Sequence, residues 1–342
     1  MSVDEDFSAM LKRLADGETL GARAAARAFA AIMAGRESET RMAAFLTALT
    51  VRKPTVEEVA GGAEAMREAM RVVNAPPGAI DLCGTGGDGK GTLNISTATA
   101  FVVAACGVPV AKHGNRSASS RTGTADVLEV LGVKIGLEPK GAELCLKEAG
   151  LCFMFAPTHH TAMKFVAPVR KELAFRTVFN LLGPICNPAK VKRQLLGVYS
   201  EEWIEPVSNA LAMLGAEKAW VVHGSDGLDE LTTTGVTHAA ILENGKVTRR
   251  EISPEDAGLP RATLNDLVGG DPQHNAQAIR DLLAGAKGAF RDVVLLNAAG
   301  ALMIADKTND LKSGVKLAAV AIDSGGAKTK LELLAAASQK AA

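Results

Sequence analysis

Five glycines fall within eight residues in the run Gly84-Thr85-Gly86-Gly87-Asp88-Gly89-Lys90-Gly91-Thr92. Residues without a Cβ let consecutive main-chain N–H groups converge on one anion, and a helix that starts just after such a loop adds positive potential. A phosphate-type ligand is the natural occupant, since a plain turn needs fewer glycines. Asn94-Ile95-Ser96-Thr97 follows, with short side chains able to cap a helix and still reach an anion. Lys112-His113-Gly114-Asn115-Arg116, continued by Ser117, Ala118, Ser119 and Ser120, brings two cations, several hydroxyls and a glycine that permits close backbone approach. Asp229-Glu230 places adjacent carboxylates on one loop, a donor set for one or two Mg²⁺ ions that keep part of their water. Singly, each segment has a plain reading: a solvated cationic rim, a surface acidic pair. Together, at the ends of successive strands, they describe a polyphosphate site with metal.

Two familiar phosphate patterns overlap the glycine run, and each lacks a necessary part. Gly84, Gly86 and Gly89 satisfy G-x-G-x-x-G, but a dinucleotide site requires an acidic residue about 20 positions on. Residues 101–114 contain no acid, and Lys112 and His113 carry the wrong charge for that role. Residues 84–90 nearly match a P-loop, yet Gly91 stands where a Mg²⁺-binding Ser or Thr is required.

The elements that must position these groups fall into two regions. The first quarter reads as helices only. Phe7, Met10, Leu11 and Leu14 share one face; Thr19 is placed to cap an alanine-rich helix over 21–34; a third helix covers 39–51. Thr55 with Glu58 forms a capping box for a fourth helix that runs to about residue 72. Alanine-rich helices pack closely, inside the subunit or across a dimer face. Ala75-Pro76-Pro77-Gly78 breaks this pattern. Short apolar runs at 80–83, 108–111, 134–137, 152–155, 195–199, 219–222 and 293–297 then read as strands, with helices fitting between them at 96–106, 125–131 and 141–148. Asn244-Gly245 between 238–242 and 246–252 predicts a hairpin. The fold class expected is α/β: a small N-terminal helical domain over 1–74 and a larger α/β domain over 75–342 with a central, mostly parallel mixed sheet.

Composition excludes several classes. Lys+Arg and Asp+Glu are both 38 and aromatics only 4%, so neither a basic coat for nucleic acid nor a stacking platform is expected. The basic stretch Lys190, Lys192, Arg193 reads as a solvated loop. Cys83, Cys106, Cys145, Cys152 and Cys186 are odd in number and lack CxxC spacing, which suits reduced core residues in a reducing compartment. Residues 1–16 are acidic and amphipathic, unlike a secretory signal. The longest apolar run, 101–111, is short of the about 20 residues that span a membrane. A cytoplasmic protein without membrane or nucleic-acid partners is expected.

Gly84 to Asp88 as Gly-Thr-Gly-Gly-Asp, Asn94-Ile95-Ser96-Thr97, Lys112-His113-Gly114-Asn115-Arg116 and Asp229-Glu230 together resemble the anthranilate phosphoribosyltransferases. Phe155-Ala156-Pro157 with His160, Val169-Arg170-Lys171-Glu172-Leu173, Arg176-Thr177-Val178-Phe179-Asn180 and Leu182-Gly183-Pro184 extend the resemblance, in order, over nearly the whole chain. It implies a nucleoside phosphorylase/phosphoribosyltransferase-like fold, a homodimer formed through the helical domain, and residues near 161–182 packing back on that domain. It implies transfer of the phosphoribosyl group of phosphoribosyl pyrophosphate to the anthranilate amine, a step of tryptophan biosynthesis, with Mg²⁺ as cofactor.

Carried over by position, the phosphoribosyl donor meets Gly84, Gly87, Asp88, Thr92, Asn94, Ile95, Ser96, Thr97, Lys112, His113, Gly114, Asn115, Arg116, Ser117, Ala118, Ser119, Ser120 and Thr124. Anthranilate meets Gly84, His113, Asn115, His160 and Arg170, and Mg²⁺ meets Ser96, Asp229 and Glu230. Three positions depart from the family pattern: Thr124 for serine, Thr161 for proline and Ala174 for glycine. A pyrimidine nucleoside phosphorylase shares the architecture, but its Lys-His-Ser start to the glycine loop is missing. A non-catalytic nucleic-acid-binding relative is the other alternative, opposed by the zero net charge.

Overall fold

The computed structural model describes residues 6–116 and 122–341. Four helices come first: α1 (Phe7–Ala15), α2 (Ala22–Met33), α3 (Glu39–Arg52) and α4 (Val56–Ala69). The chain then alternates: β1 (Ile80–Gly84), α5 (Ile95–Ala105), β2 (Val110–Gly114), α6 (Thr124–Val130), α7 (Pro139–Ala149) and β3 (Leu151–Phe155). Three short helices, α8 (Ala156–His159), α9 (Ala167–Leu173) and α10 (Phe179–Ile185), lead to β4 (Arg193–Gly197), α11 (Ile204–Met213) and β5 (Lys218–Gly224). The hairpin β6 (Thr237–Glu243) and β7 (Lys246–Ile252) precedes α12 (Pro272–Leu283), α13 (Ala289–Ile304), α14 (Leu311–Asp323) and α15 (Gly326–Lys340).

The strands form one sheet of seven in the order β3-β2-β1-β4-β5-β6-β7. Pairing is parallel from β3 through β5 and antiparallel across β6 and β7. Asn244 and Gly245 turn the hairpin with φ of 52° and 72°, the left-handed pair that the Asn-Gly signal predicts. Side chains alternate between two cores. Leu82, Leu195, Trp220 and Val222 face a layer built on α5, α13 and the C-terminal helices. Cys83, Leu196, Val198, Ala219 and Val221 face the other way, onto a core shared by α10, α11 and the N-terminal helices. Val166, Val169, Phe179 and Leu182 sit in that same core, so residues of α9 and α10 pack with helices that precede them by more than a hundred positions.

Within the helical region two alanines of α2 serve internal packing. Ala25 and Ala28 on α2 are fully buried. They face α4, where a Cβ on Gly61 would stand 2.2 Å from the Ala22 carbonyl oxygen. The Thr55–Glu58 capping box forms as expected. Glu58 is wholly buried and also takes the Leu20 N–H and the Arg52 guanidinium, so one carboxylate fastens three segments.

Four expectations from the sequence need correction. Residues 293–297 lie inside α13, not in a strand. That helix is buried almost all round, and an all-apolar run looks the same in a buried helix and a buried strand. Residues 134–137 form a loop, and the Lys134 N–H is taken by the Ser338 hydroxyl on α15 in place of a ladder partner. Thr19 does not cap α2; Gly21 occupies that position and makes no side-chain cap. Helix α4 ends at Ala69, short of residue 72.

Inside a helix, alanine normally gains about 1 kcal/mol over glycine. At Gly61 the backbone of α2 leaves no room, and overpacking costs about 1–3 kcal/mol. Gly61→Ala is therefore expected to lower the unfolding free energy in a urea titration; a stabilised variant would contradict the close α2–α4 contact.

Candidate active site

In an open parallel sheet, ligands bind beyond the carboxyl ends of the strands, where the strand order reverses. Here that point lies between β1 and β4, whose last residues, Gly84 and Gly197, are register partners. The main chain at Asp229 lies directly on this pair. A Cβ on Gly197 would fall 1.6 Å from the Asp229 carbonyl oxygen, and one on Gly84 would fall 2.3 Å from its carboxylate. The two glycines thus admit the acidic loop to the strand ends. Asn297, fully buried on α13, holds the loop from behind: its Oδ1 accepts the Leu231 N–H at 3.1 Å and its Nδ2 donates to the Leu231 carbonyl at 2.8 Å.

The glycine run wraps the acidic pair. Gly86, Gly87, Gly89 and Gly91 all have φ between 62° and 74°, a region costly for residues with a Cβ. The Gly86 N–H donates to Asp229 Oδ2 at 2.7 Å. At the start of α5 the Ser96 N–H donates to Glu230 Oε1 at 3.2 Å. Burial is the largest effect on both acids. It pushes Asp229 up to about 7, with Asp88 adding repulsion, and Glu230 up to about 8, with Asp229 adding repulsion. The loop and the helix start therefore converge on two acids for which Lys112 is a nearby cation that only partly offsets their burial. Arg176 closes the outer side through a hydrogen bond to the Gly87 carbonyl, its guanidinium 4.3 Å from the Tyr199 ring centroid.

Beneath the loop, β1 and β2 pair at Ile80 and Val110, and side chains extend the connection. Asp81 accepts the His113 N–H at 3.0 Å, and Asn187 donates to Asp81 at 2.7 Å and to the Ala111 carbonyl at 2.8 Å. Lys112 and His113 then point to opposite faces, as neighbours on a strand must. Lys112 is 4% exposed; its ammonium donates to the Leu82 carbonyl and to Ser96 Oγ at 3.1 Å. Burial lowers the Lys112 pKa and raises that of Asp81, while the attraction between the two charges opposes both shifts.

His113 faces the other way, its ring centroid 5.0 Å from that of His160. Burial, then the neighbouring histidine, pulls each down: His113 well below the usual range, with His160 acting on it, and His160 to about 4, with His159 acting on it. Both rings are neutral at pH 7, and the Nε2 atoms of both are buried without a partner among the described residues. Arg170 on α9 is largely desolvated, which lowers its pKa, and its guanidinium lies 5.6 Å from the Phe179 ring centroid. Among the described residues it has no hydrogen bond or ion pair. A half-buried cation without an anion is costly and suits an external carboxylate. Helix α9 ends at Ala174 with φ 53°, a left-handed cap that suits glycine and strains alanine.

Other expected site residues are placed less directly. Thr124 opens α6 and its Oγ1 accepts from Thr97 Oγ1 at 3.2 Å. Asp88 takes the Lys90 N–H at 3.1 Å, and Thr92 bridges Val268. Gly114 ends β2, and a Cβ there would meet the Phe153 ring at 3.0 Å. Asn115 is exposed and accepts the Arg116 N–H on its side chain at 2.8 Å. Arg116 turns to α6, at 2.6 Å from Asp126 and 2.7 Å from Glu129, and not to the glycine loop. Ser117, Ala118, Ser119 and Ser120 lie outside the described residues. Thr161 begins a 3-10 turn, Thr161–Phe165. A separate groove of about 560 Å³ is lined by Glu201, Glu202, Glu205 and Arg249. Its acids already pair with Arg249 and Lys53, so it has the wrong sign for a polyphosphate.

Sequence reasoning misses the roles of Asp81, Arg176, Asn187 and Asn297. Asp81 and Asn297 carry a sequence signal, each a lone polar residue in an apolar run, and Arg176 stands in one of the family-like segments.

Comparison with known proteins is consistent along the chain. A helical bundle domain model of a glycosyl transferase family matches residues 8–70, and the α/β domain model of that family matches residues 76–328. The anthranilate phosphoribosyltransferase of Parvibaculum lavamentivorans is 56% identical over 332 residues, 97% of each chain. That of Beijerinckia indica is 54% identical over 98% of each chain. Among solved structures, the Thermus thermophilus enzyme of that name superposes with a TM-score of 0.92 at 45% identity, over 96% of this chain and 99% of that one. The Saccharomyces cerevisiae enzyme, in complex with PRPP and Mg, gives 0.89 at 27% identity, over 98% of each chain.

Gly197→Ala is expected to drive the acidic loop off the strand ends and to lower stability by about 1–3 kcal/mol. Chemical unfolding measures it, and an unchanged midpoint would show that the loop does not depend on that glycine.

Proposed function

The chain belongs to the anthranilate phosphoribosyltransferase family, and from that premise we propose how its residues divide the work of the reaction. The amine of anthranilate is joined to C1 of the ribose in phosphoribosyl pyrophosphate, and pyrophosphate leaves. The observation that carries this reading is the convergence of the glycine loop and the start of α5 on two buried acids, through Gly86 to Asp229 and Ser96 to Glu230. Two neighbouring carboxyls pushed up to about 7 and about 8 are short of positive charge, which fits a divalent cation. Ser96, Asp229 and Glu230 would hold Mg²⁺, whose chemistry is to neutralise charge on the leaving pyrophosphate.

The remaining work is positional and electrostatic. Main-chain N–H groups of residues 84–92 and the N-terminus of α5 cradle the pyrophosphate. Lys112 holds the Ser96 hydroxyl in place from below. Segments 94–97 and 112–116, with Thr124, complete the surface for the phosphoribosyl group. Arg170 takes the anthranilate carboxylate, which supplies the anion its half-buried guanidinium lacks among the described residues. His113 and His160 present neutral rings with unpartnered Nε2 atoms toward the aromatic substrate. An aromatic amine is uncharged at pH 7 and nucleophilic as it stands, so it attacks C1 opposite the leaving group, inverts that centre, and sheds one N–H proton to solvent as the C1–O bond to pyrophosphate breaks. No strong general base is required.

The functional division falls at residues 74 and 75, with the segment near 161–182 serving the helical part. Two copies associate through the helical domain, where Val51 on α3 is 80% exposed. Five free thiols suit the reducing cytoplasm.

The direct test mixes the protein with anthranilate, phosphoribosyl pyrophosphate and Mg²⁺ and follows the loss of anthranilate fluorescence. Arg170→Ala should raise the anthranilate KM by about 10- to 100-fold, the weight of a charge-assisted hydrogen-bonded pair, and leave the KM of the sugar donor nearly unchanged. Equal effects on both would remove Arg170 from that role. Asp229→Asn with Glu230→Gln should abolish the Mg²⁺-dependent rate while circular dichroism stays unchanged. In the parent chain, acids raised to about 7 and about 8 hold protons that compete with the cation. The apparent Mg²⁺ affinity should therefore weaken as pH falls from 8 to 6, and a flat profile would count against these ligands.

A further inference from the structure

The second half of the glycine loop is covered by a segment from late in the chain. Thr92 bridges Val268, the Gly269 N–H donates to the Gly91 carbonyl at 2.8 Å, and the Leu93 N–H donates to the Leu267 carbonyl at 2.9 Å. The contact is close: a Cβ on Gly269 would lie 2.6 Å from the Thr92 carbonyl oxygen. Behind it, in the first turns of α12, Asn275 is 1% exposed. Its Oδ1 accepts the Gly270 N–H at 2.7 Å and its Nδ2 donates to Asn94 Oδ1 at 2.8 Å.

The polarity of these contacts runs one way. A main-chain N–H can only donate, so Asn275 must turn its oxygen toward Gly270. Its NH₂ then faces Asn94, and Asn94 must answer with its own carbonyl oxygen. The Asn94 NH₂ is thereby turned away from Asn275. Asn94 is the N-cap residue of α5, where an Asn oxygen commonly accepts a helical N–H, yet it makes no such bond. Its oxygen is committed to Asn275 instead. Gly270, the source of the chain of polarity, is pinned on its other side, because its carbonyl accepts from the Thr122 hydroxyl at 2.7 Å.

We propose that Asn275 is a positioning residue for the phosphoribosyl donor: by fixing which way round the Asn94 amide lies, it makes Asn94 offer N–H donors, and not a carbonyl oxygen, to the anionic donor. The proposal rests on the placement of that donor at residues 84–97 given above. Asn275 touches no reacting atom; it acts through Asn94 alone.

The isosteric change Asn275→Asp separates polarity from packing. An aspartate still accepts from Gly270, but its second oxygen also accepts, so Asn94 must turn over and show its oxygen to the substrate. Asn275→Asp should raise the KM of phosphoribosyl pyrophosphate, and its Kd by calorimetry, about tenfold. That loss should exceed the loss from Asn275→Ala, with the anthranilate KM changed less than about twofold. In an Asn94→Ala background the same Asn275→Asp change should add almost nothing, because coupled residues are non-additive. An aspartate no worse than alanine overturns the proposal, and so does a full effect that persists without Asn94, which marks plain charge repulsion. If Asn275→Asp does not fold, the Asn275→Ala and Asn94→Ala pair decides: the double variant should equal Asn94→Ala, and additive losses reject the coupling. Absence of anthranilate turnover by the parent chain would refute the functional reading instead, while calorimetry of phosphoribosyl pyrophosphate alone would still judge Asn275.

Discussion

The contact of the Asp229 main chain with two adjacent glycines, Gly84 and Gly197, is the constraint from which the site follows. Sheet neighbours at the ends of β1 and β4 are separated by one strand spacing, and side chains there would fill the space above them. With no Cβ on either, a third piece of backbone settles on the strand ends and brings Asp229 and Glu230 under the glycine loop. The loop can then spend its N–H groups on two fronts, inward on the acids and outward on a ligand. Asn297 keeps the third piece from lifting. Without that proximity, the glycine run and the acidic pair would be two unrelated surface features.

From the same strand ends, electrostatics divides the cleft in two. On one face of β2, Lys112 is buried beside Ser96 and the acidic pair, so ionisable groups meet under low solvation. On the opposite face His113 and His160 are held neutral by burial, one residue further along the strand. A strand's two-residue repeat thus separates a strongly charged half, suited to pyrophosphate and metal, from an uncharged half, suited to an aromatic amine. Arg170 is the one formal charge assigned to the second half, and it lacks a counter-ion within the subunit's described residues. The arrangement favours catalysis by placement of fixed charges over proton transfer.

Local signals are legible in the sequence where the chain's own neighbours decide the outcome. The glycine run, the Thr55–Glu58 capping box and the Asn244-Gly245 hairpin each form at the positions expected. Long-range burial is where the sequence misleads. Residues 293–297 have the composition of a core strand and lie in a helix enclosed on all sides, while 134–137 lose their ladder partner to a serine from α15. The supporting amides and carboxylates escape notice for a similar reason. Asn187 and Asn275 look like ordinary polar residues in sequence, and their importance lies in which distant group they face. Ala174 departs visibly from the family pattern, and its backbone shows the cost, a left-handed turn without the residue that tolerates it best.

The order of strands in the sheet also bears on how the chain is made. β1 lies inside the sheet, yet its full-length partner β4 is encoded far downstream; Asp81 and Gln194, its register partner, stand 113 residues apart. At a synthesis rate of about 5–20 residues per second, β1 leaves the ribosome roughly 6–23 s before β4 exists to cover it. During that interval one edge of an apolar strand is open to any other chain in the same condition. The interval before β4 is made is therefore when this strand is most exposed to pairing with the wrong chain.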